Sequence, residues 1–144
     1  MSNIKKILIA VDGGPTSEKV ASNGLQLAQQ LHAELAVISV LDTTALMSDG
    51  AVTPDELAAI LKNDLKNSQQ LLVDNIFKDQ KVWTFVENGK PVDAILKVAD
   101  EWEADLIVLG THGRAGLSHL IMGSVAEKVI RHSTKPILII PTRP

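Results

Sequence analysis

Four stretches of the chain, residues 4–11, 35–41, 106–109 and 137–140, are almost wholly aliphatic, broken only by Lys5 and Lys6 in the first and Ser39 in the second. A strand with one wet face alternates apolar and polar residues. A strand buried on both faces reads instead as an unbroken aliphatic run, and such burial belongs to parallel sheets covered by helices on each side. Residues 82–86 make a fifth, short strand with some alternation. Segments of helical spacing separate these runs, so β and α elements alternate along all 144 residues. That order predicts an α/β fold of three layers, an open twisted parallel five-stranded sheet with four helices. No linker, repeat or change of composition interrupts it, so residues 1–144 are expected to form one domain.

The helices are marked by spacing and by their ends. Asp12-Gly13-Gly14-Pro15 is a sharp turn that places Pro15 at a first helical position. Val20, Ala21, Gly24, Leu25, Ala28 and Leu31 then recur at three- and four-residue intervals. With the strands on either side this is a βαβ unit, whose crossover is right-handed. Residues 42–50 have no periodicity and read as a loop. Thr53, Pro54 and Glu56 form a capped helix start, and Leu57, Ile60, Leu61, Leu65, Leu71, Leu72 and Ile76 give that helix one apolar face to about Phe77. Gly89-Lys90-Pro91 opens a third helix, with Val92, Ile95, Leu96, Ala99 and Trp102 on one side. The fourth runs from Ser124 to about His132.

Chemistry concentrates between the fourth strand and the fourth helix. The run at 106–109 stops at Gly110; Gly113 follows, then Gly123-Ser124 ahead of Val125, Val129 and Ile130 at helical spacing. The outward N–H groups and dipole of a helix start favour anions, most of all where glycine removes the Cβ that blocks close approach. Arg114 adds a fixed charge suited to phosphate oxygens. A second reading stays open, because Ser124-x-x-Glu127 is also a capping box in which Ser124 satisfies the helix's own amides. Asp12 is similarly two-sided: a ligand for phosphate-bound Mg²⁺, or a turn residue bonded to its own backbone.

The spacing Gly110-x2-Gly113-x9-Gly123-Ser124 resembles the nucleotide-binding signature of the universal stress protein family, and the similarity runs from residues 5–12 to residues 135–141. The resemblance implies strand order 3-2-1-4-5 in an adenine nucleotide alpha-hydrolase-like fold. Asp12 and Gly110 then follow neighbouring strands, at the point where open parallel sheets bind ligands. It further implies ATP, or another adenine nucleotide, with Mg²⁺ reached through Asp12. Ala10, Asp12 and Val40 would hold the adenine and ribose. Leu109, Gly110, His112 and Gly113 would bring the loop to the ribose and phosphates, with Arg114 beside them. Gly123, Ser124 and Val125 would present N–H groups to the outer phosphates. Many members place Ser or Thr two residues beyond the strand-one Asp; this chain has Gly14.

The implied function is a nucleotide-dependent regulatory module of the stress response. The alternative is a slow ATP hydrolase or self-phosphorylating phosphotransferase on the same fold. Efficient phosphoryl transfer needs a metal clamp and a group that positions the nucleophile; the chain has no Walker lysine and no evident base beyond Asp12 and His112, which favours the module. A receiver domain fits the fold but would need a second acidic residue beside Asp12 and an acceptor Asp after the third strand. The resemblance also suggests a homodimer through the strand Ile137–Ile140, an apolar edge guarded only by Pro136 and Pro141.

Composition narrows the rest. A net charge of −3 and an aromatic content of 3%, with no Tyr, speak against a nucleic-acid partner. Zero Cys excludes disulfides and thiolate metal sites. The apolar run after Lys6 stops at Asp12, short of the ~7–15 residues of a secretory signal, and nothing approaches the ~18 of a membrane span, so no membrane contact and a cytoplasmic location are expected. His32 and His132 lie near helix ends, where they complement C-terminal dipoles. No His pair has the spacing of a metalloprotease site.

Overall fold

The computed structural model describes residues 3–42, 54–112 and 122–142. In order, the elements are β1 (Lys6–Ala10), α1 (Ser17–Leu31), β2 (Glu34–Leu41), α2 (Pro54–Leu72, continued by a π-helical segment Val73–Phe77), β3 (Val82–Asn88), α3 (Pro91–Glu101), β4 (Leu106–Gly110), α4 (Ser124–His132) and β5 (Ile137–Ile140). All strands are parallel, in the order β3-β2-β1-β4-β5. The fold and strand order expected from the sequence are those observed. The cap expected at Thr53, and residues 43–50 of the expected loop, lie outside the described residues.

Strand side chains alternate between two cores. Ile7, Ile9, Val11, Leu35, Val37 and Val108 pack under α1 and the end of α2. Leu8, Ala36, Ile38, Ile107 and Leu109 pack under α3 and α4. The aliphatic runs are therefore filled on both faces, which is why they lack polar alternation. Ser39 is the exception; it is 1% exposed, and its Oγ accepts a 3.0 Å hydrogen bond from Gln69 Nε2.

Three helix expectations are corrected. Ile60 and Leu71 were placed on the buried face of α2 but are 52% and 60% exposed. They lie more than about 100° round the helix from Leu65, and the buried stripe is Leu65, Gln69 and Leu72. Leu31, at the C-terminal end of α1, is 41% exposed. Pro15 does not open α1: Ser17 N donates to Gly14 O at 3.1 Å, closing a turn with Pro15 in its second position, where a fixed φ suits it. His32 takes left-handed geometry (φ 55°) at the end of α1, and Ala33 N reaches Ala28 O at 2.9 Å. It thus ends the helix through its backbone. Gly24 lets α1 close on β1, since a Cβ there would stand 2.5 Å from Ile9 Cδ1.

Candidate functional site

β1 and β4 are hydrogen-bonded neighbours, and the chain leaves the carboxyl end of each in a turn. After β1, Asp12 Oδ1 accepts the Gly14 N–H at 2.8 Å. This is the self-bonded turn that Asp favours, and it holds the carboxylate at the rim of the sheet. Gly13 has φ 81°, and a Cβ on it would lie 3.3 Å from Leu65 Cδ2 and 3.4 Å from Ser68 Oγ. The Asp12 turn therefore rests on α2. Gly14 contributes its amide to that turn.

After β4 a compact polar network joins two chain segments 30 residues apart. Thr142 Oγ1 accepts the His112 N–H at 2.9 Å and donates to His112 O at 3.1 Å. Thr142 N donates to Thr111 Oγ1 at 3.0 Å, which also lies 3.0 Å from His112 Nδ1. Thr111 N donates to Ile140 O at 3.0 Å. His112 and Thr142 are both 4% exposed. His112, expected against the ribose or phosphate, is thus a buried member of this clasp. Gly110 belongs to it too: a Cβ there would stand 2.8 Å from Thr142 Cγ2 and 3.2 Å from Val20 Cγ2. The glycine admits the chain's own Thr142. Thr111 and Thr142 were missed, because a threonine contact across 31 positions leaves no local pattern.

At the start of α4, Ser124 does not form the expected capping box. The N-cap residue is Gly123, in extended geometry (φ −71°, ψ 162°), and having no side chain it cannot cap the helix itself. Ser124 is the first helical residue and is exposed. Glu127, its expected partner in a capping box, pairs with Arg131 at 2.6 Å instead. Gly123 N donates to Thr111 O at 2.6 Å, so its amide is spent inside the protein, contrary to the role expected for it. That bond ties the helix start to the clasp after β4. Among the described residues, the amides of the first turn, beginning with Ser124 and Val125, have no recorded partner, as the first N–H groups of a helix have none within it.

The side chains beneath this end are apolar. Ala10, Val40 and Val125 are half-buried and pack on the core under α3 and α4. Leu109, 3% exposed, lies in that core, which leaves only its main chain to face a ligand. The structure thus gathers Ala10, Val40 and Val125 on one face of the sheet, with Asp12 and the α4 start at its rim. Gly113 and Arg114 lie outside the described residues.

Comparison with known proteins identifies the family and bears out the fold. Residues 3–141 match the model of the universal stress protein family. A universal stress protein of Methanocaldococcus jannaschii is 33% identical over 141 residues, covering 94% of this chain and 81% of the relative. The solved universal stress protein UspA of Lactobacillus plantarum superposes with a TM-score of 0.83 at 21% identity, over 97% of this chain and 99% of that one. Another, from Archaeoglobus fulgidus in complex with dAMP, has a TM-score of 0.63 at 23% identity, over 96% and 99% of the two chains. At these identities the two superpositions speak for the fold alone.

Proposed function

The chain belongs to the universal stress protein family, and we propose that it is a regulatory module that binds ATP at the carboxyl ends of β1 and β4. The observation that carries this reading is the α4 start. It is a helix of nine residues whose N-cap is an extended glycine with no side chain to cap it, and whose position is fixed by the Gly123–Thr111 bond. Backbone amides so arranged complement phosphate oxygens. Ala10, Val40 and Val125 offer an apolar surface of the kind that takes an adenine ring. The Archaeoglobus fulgidus protein of the same fold is in complex with dAMP, an adenine nucleotide.

The residues also fit a magnesium ion, which takes one or two carboxylates and completes its shell with phosphate and water. Asp12 is the carboxylate at this rim. Its Asx turn holds it there, and the ion would supply charge neutralisation for the phosphates. The 144 residues act as one such domain, and two copies associate through the β5 edge, Ile137–Ile140. Native mass spectrometry of gently purified protein tests the ligand: a co-purifying adenine nucleotide, lost in Gly123→Val, is expected. A nucleotide-free wild type that also fails to take up added ATP would overturn the assignment.

A further inference from the structure

The sheet has two edges, β3 and β5, and β3 is the longer and less guarded. β5 has four residues between Pro136 and Pro141, whereas β3 has seven with no proline among them. Gly89 N donates to Leu41 O of β2 at 2.9 Å. Backbone groups of successive residues in a strand point to opposite sides, so Thr84 and Val86 direct theirs away from β2, to the side where no described strand lies. A groove of about 350 Å³ runs along this edge, walled by α2 and lined by Lys62, Lys66, Gln69, Gln70, Thr84 and Val86 among others.

The groove is cationic. Lys62 and Lys66 are one helical turn apart, Lys62 is half-buried, and neither has an ion-pair partner among the described residues, where the pairs are Arg131–Glu127 and Lys135–Asp100. Gln69 is 4% exposed, and its Nε2 is bonded to Ser39 Oγ and Phe85 O, which leaves its carbonyl oxygen as the acceptor. On the other face of the same edge, Lys81 stands 4.7 Å above the Trp83 ring, itself 44% exposed.

We propose that the β3 edge receives an extended acidic segment of a partner protein as a sixth strand. The segment's main chain pairs with Thr84 and Val86, and its carboxylates reach Lys62 and Lys66. Strand addition draws affinity from main-chain hydrogen bonds and selectivity from side chains flanking the edge; the flanking charge here selects acid. A second copy of this chain is a poorer occupant, since antiparallel β3–β3 pairing would place two Lys62–Lys66 pairs on one face. The proposal is independent of the nucleotide site.

The test uses the full ¹⁵N-labelled chain and a terminally blocked peptide of about eight alternating Glu and Thr residues, matched to the strand length. Two control peptides are used: one N-methylated along the edge that would pair, the other with Lys in place of Glu. Expected are shifts and slowed hydrogen exchange at the Thr84 and Val86 amides. Affinity should fall at least about tenfold for Lys62→Glu/Lys66→Glu, and likewise for the N-methylated peptide. Added salt should weaken it, and the Lys peptide should not bind. No binding by the Glu peptide, affinity unchanged by charge reversal and by salt, or shifts confined to other elements would overturn the proposal. Equal affinity for the N-methylated peptide would reduce the groove to a site for anions and overturn strand pairing.

Discussion

Gly110→Ala separates a glycine kept for packing from one kept for a ligand. The backbone at Gly110 is not left-handed, so alanine meets no conformational penalty and the cost is steric. Its Cβ would lie 2.8 Å from Thr142 Cγ2, 3.1 Å from Thr142 Oγ1 and 3.2 Å from Val20 Cγ2. Thr142 cannot swing clear cheaply, because its hydroxyl is bonded to both N and O of His112 and its N–H to Thr111 Oγ1. Overpacking alone costs about 1–3 kcal/mol, and each hydrogen bond strained in relieving it adds about 1 kcal/mol. A loss of roughly 2–4 kcal/mol follows. At about 3 °C per kcal/mol for a chain of this length, the melting temperature drops by some 6–12 °C. Denaturant and thermal unfolding measure the loss. Because Thr142→Ala removes the two nearer of the three colliding atoms, the double mutant should be less destabilised than the sum of the singles. If Gly110→Ala keeps wild-type stability within about 0.5 kcal/mol yet loses nucleotide affinity, the packing explanation fails and the glycine serves the ligand.

Three other outcomes are expected. Thr142→Val keeps the side chain's shape but strands the His112 N–H in a site 4% exposed; urea unfolding should show a loss of about 1–3 kcal/mol. Ser124→Ala should change stability by less than about 0.5 kcal/mol, because Ser124 is not the cap; a loss near the ~1 kcal/mol of a true N-cap would contradict that. Gly123→Val should melt close to wild type, since φ −71° and ψ 162° are open to any residue, while calorimetry with ATP finds binding abolished. Unchanged affinity would remove the phosphates from this helix start.

The strands were legible because burial on both faces leaves a continuous aliphatic signature, and α1 and α3 because their apolar spacing is regular. The strand order came through family resemblance, since periodicity does not say which strands are neighbours. What escaped depends on contacts between distant positions. Gln69 reads as a surface residue until Ser39 and the Phe85 carbonyl are seen beneath it. Ile60 and Leu71 read as core because apolar residues crowd α2 all round. At the site, the glycines were visible but not their reasons: Gly110 accommodates Thr142, and Gly123 takes the cap from Ser124 because its N–H is held by Thr111 O. Asp12 left two possibilities, and the bond to Gly14 shows the turn role without removing the carboxylate from the rim.

The most direct measurement is an amide NMR titration of the ¹⁵N-labelled protein with ATP and magnesium. A phosphate seated on the first turn of α4 should move the Ser124 and Val125 amides furthest, in wild type but not in Gly123→Val, with saturation at one nucleotide per chain. Binding that leaves those two amides in place, or no binding at all, would contradict a nucleotide site built on the start of that helix.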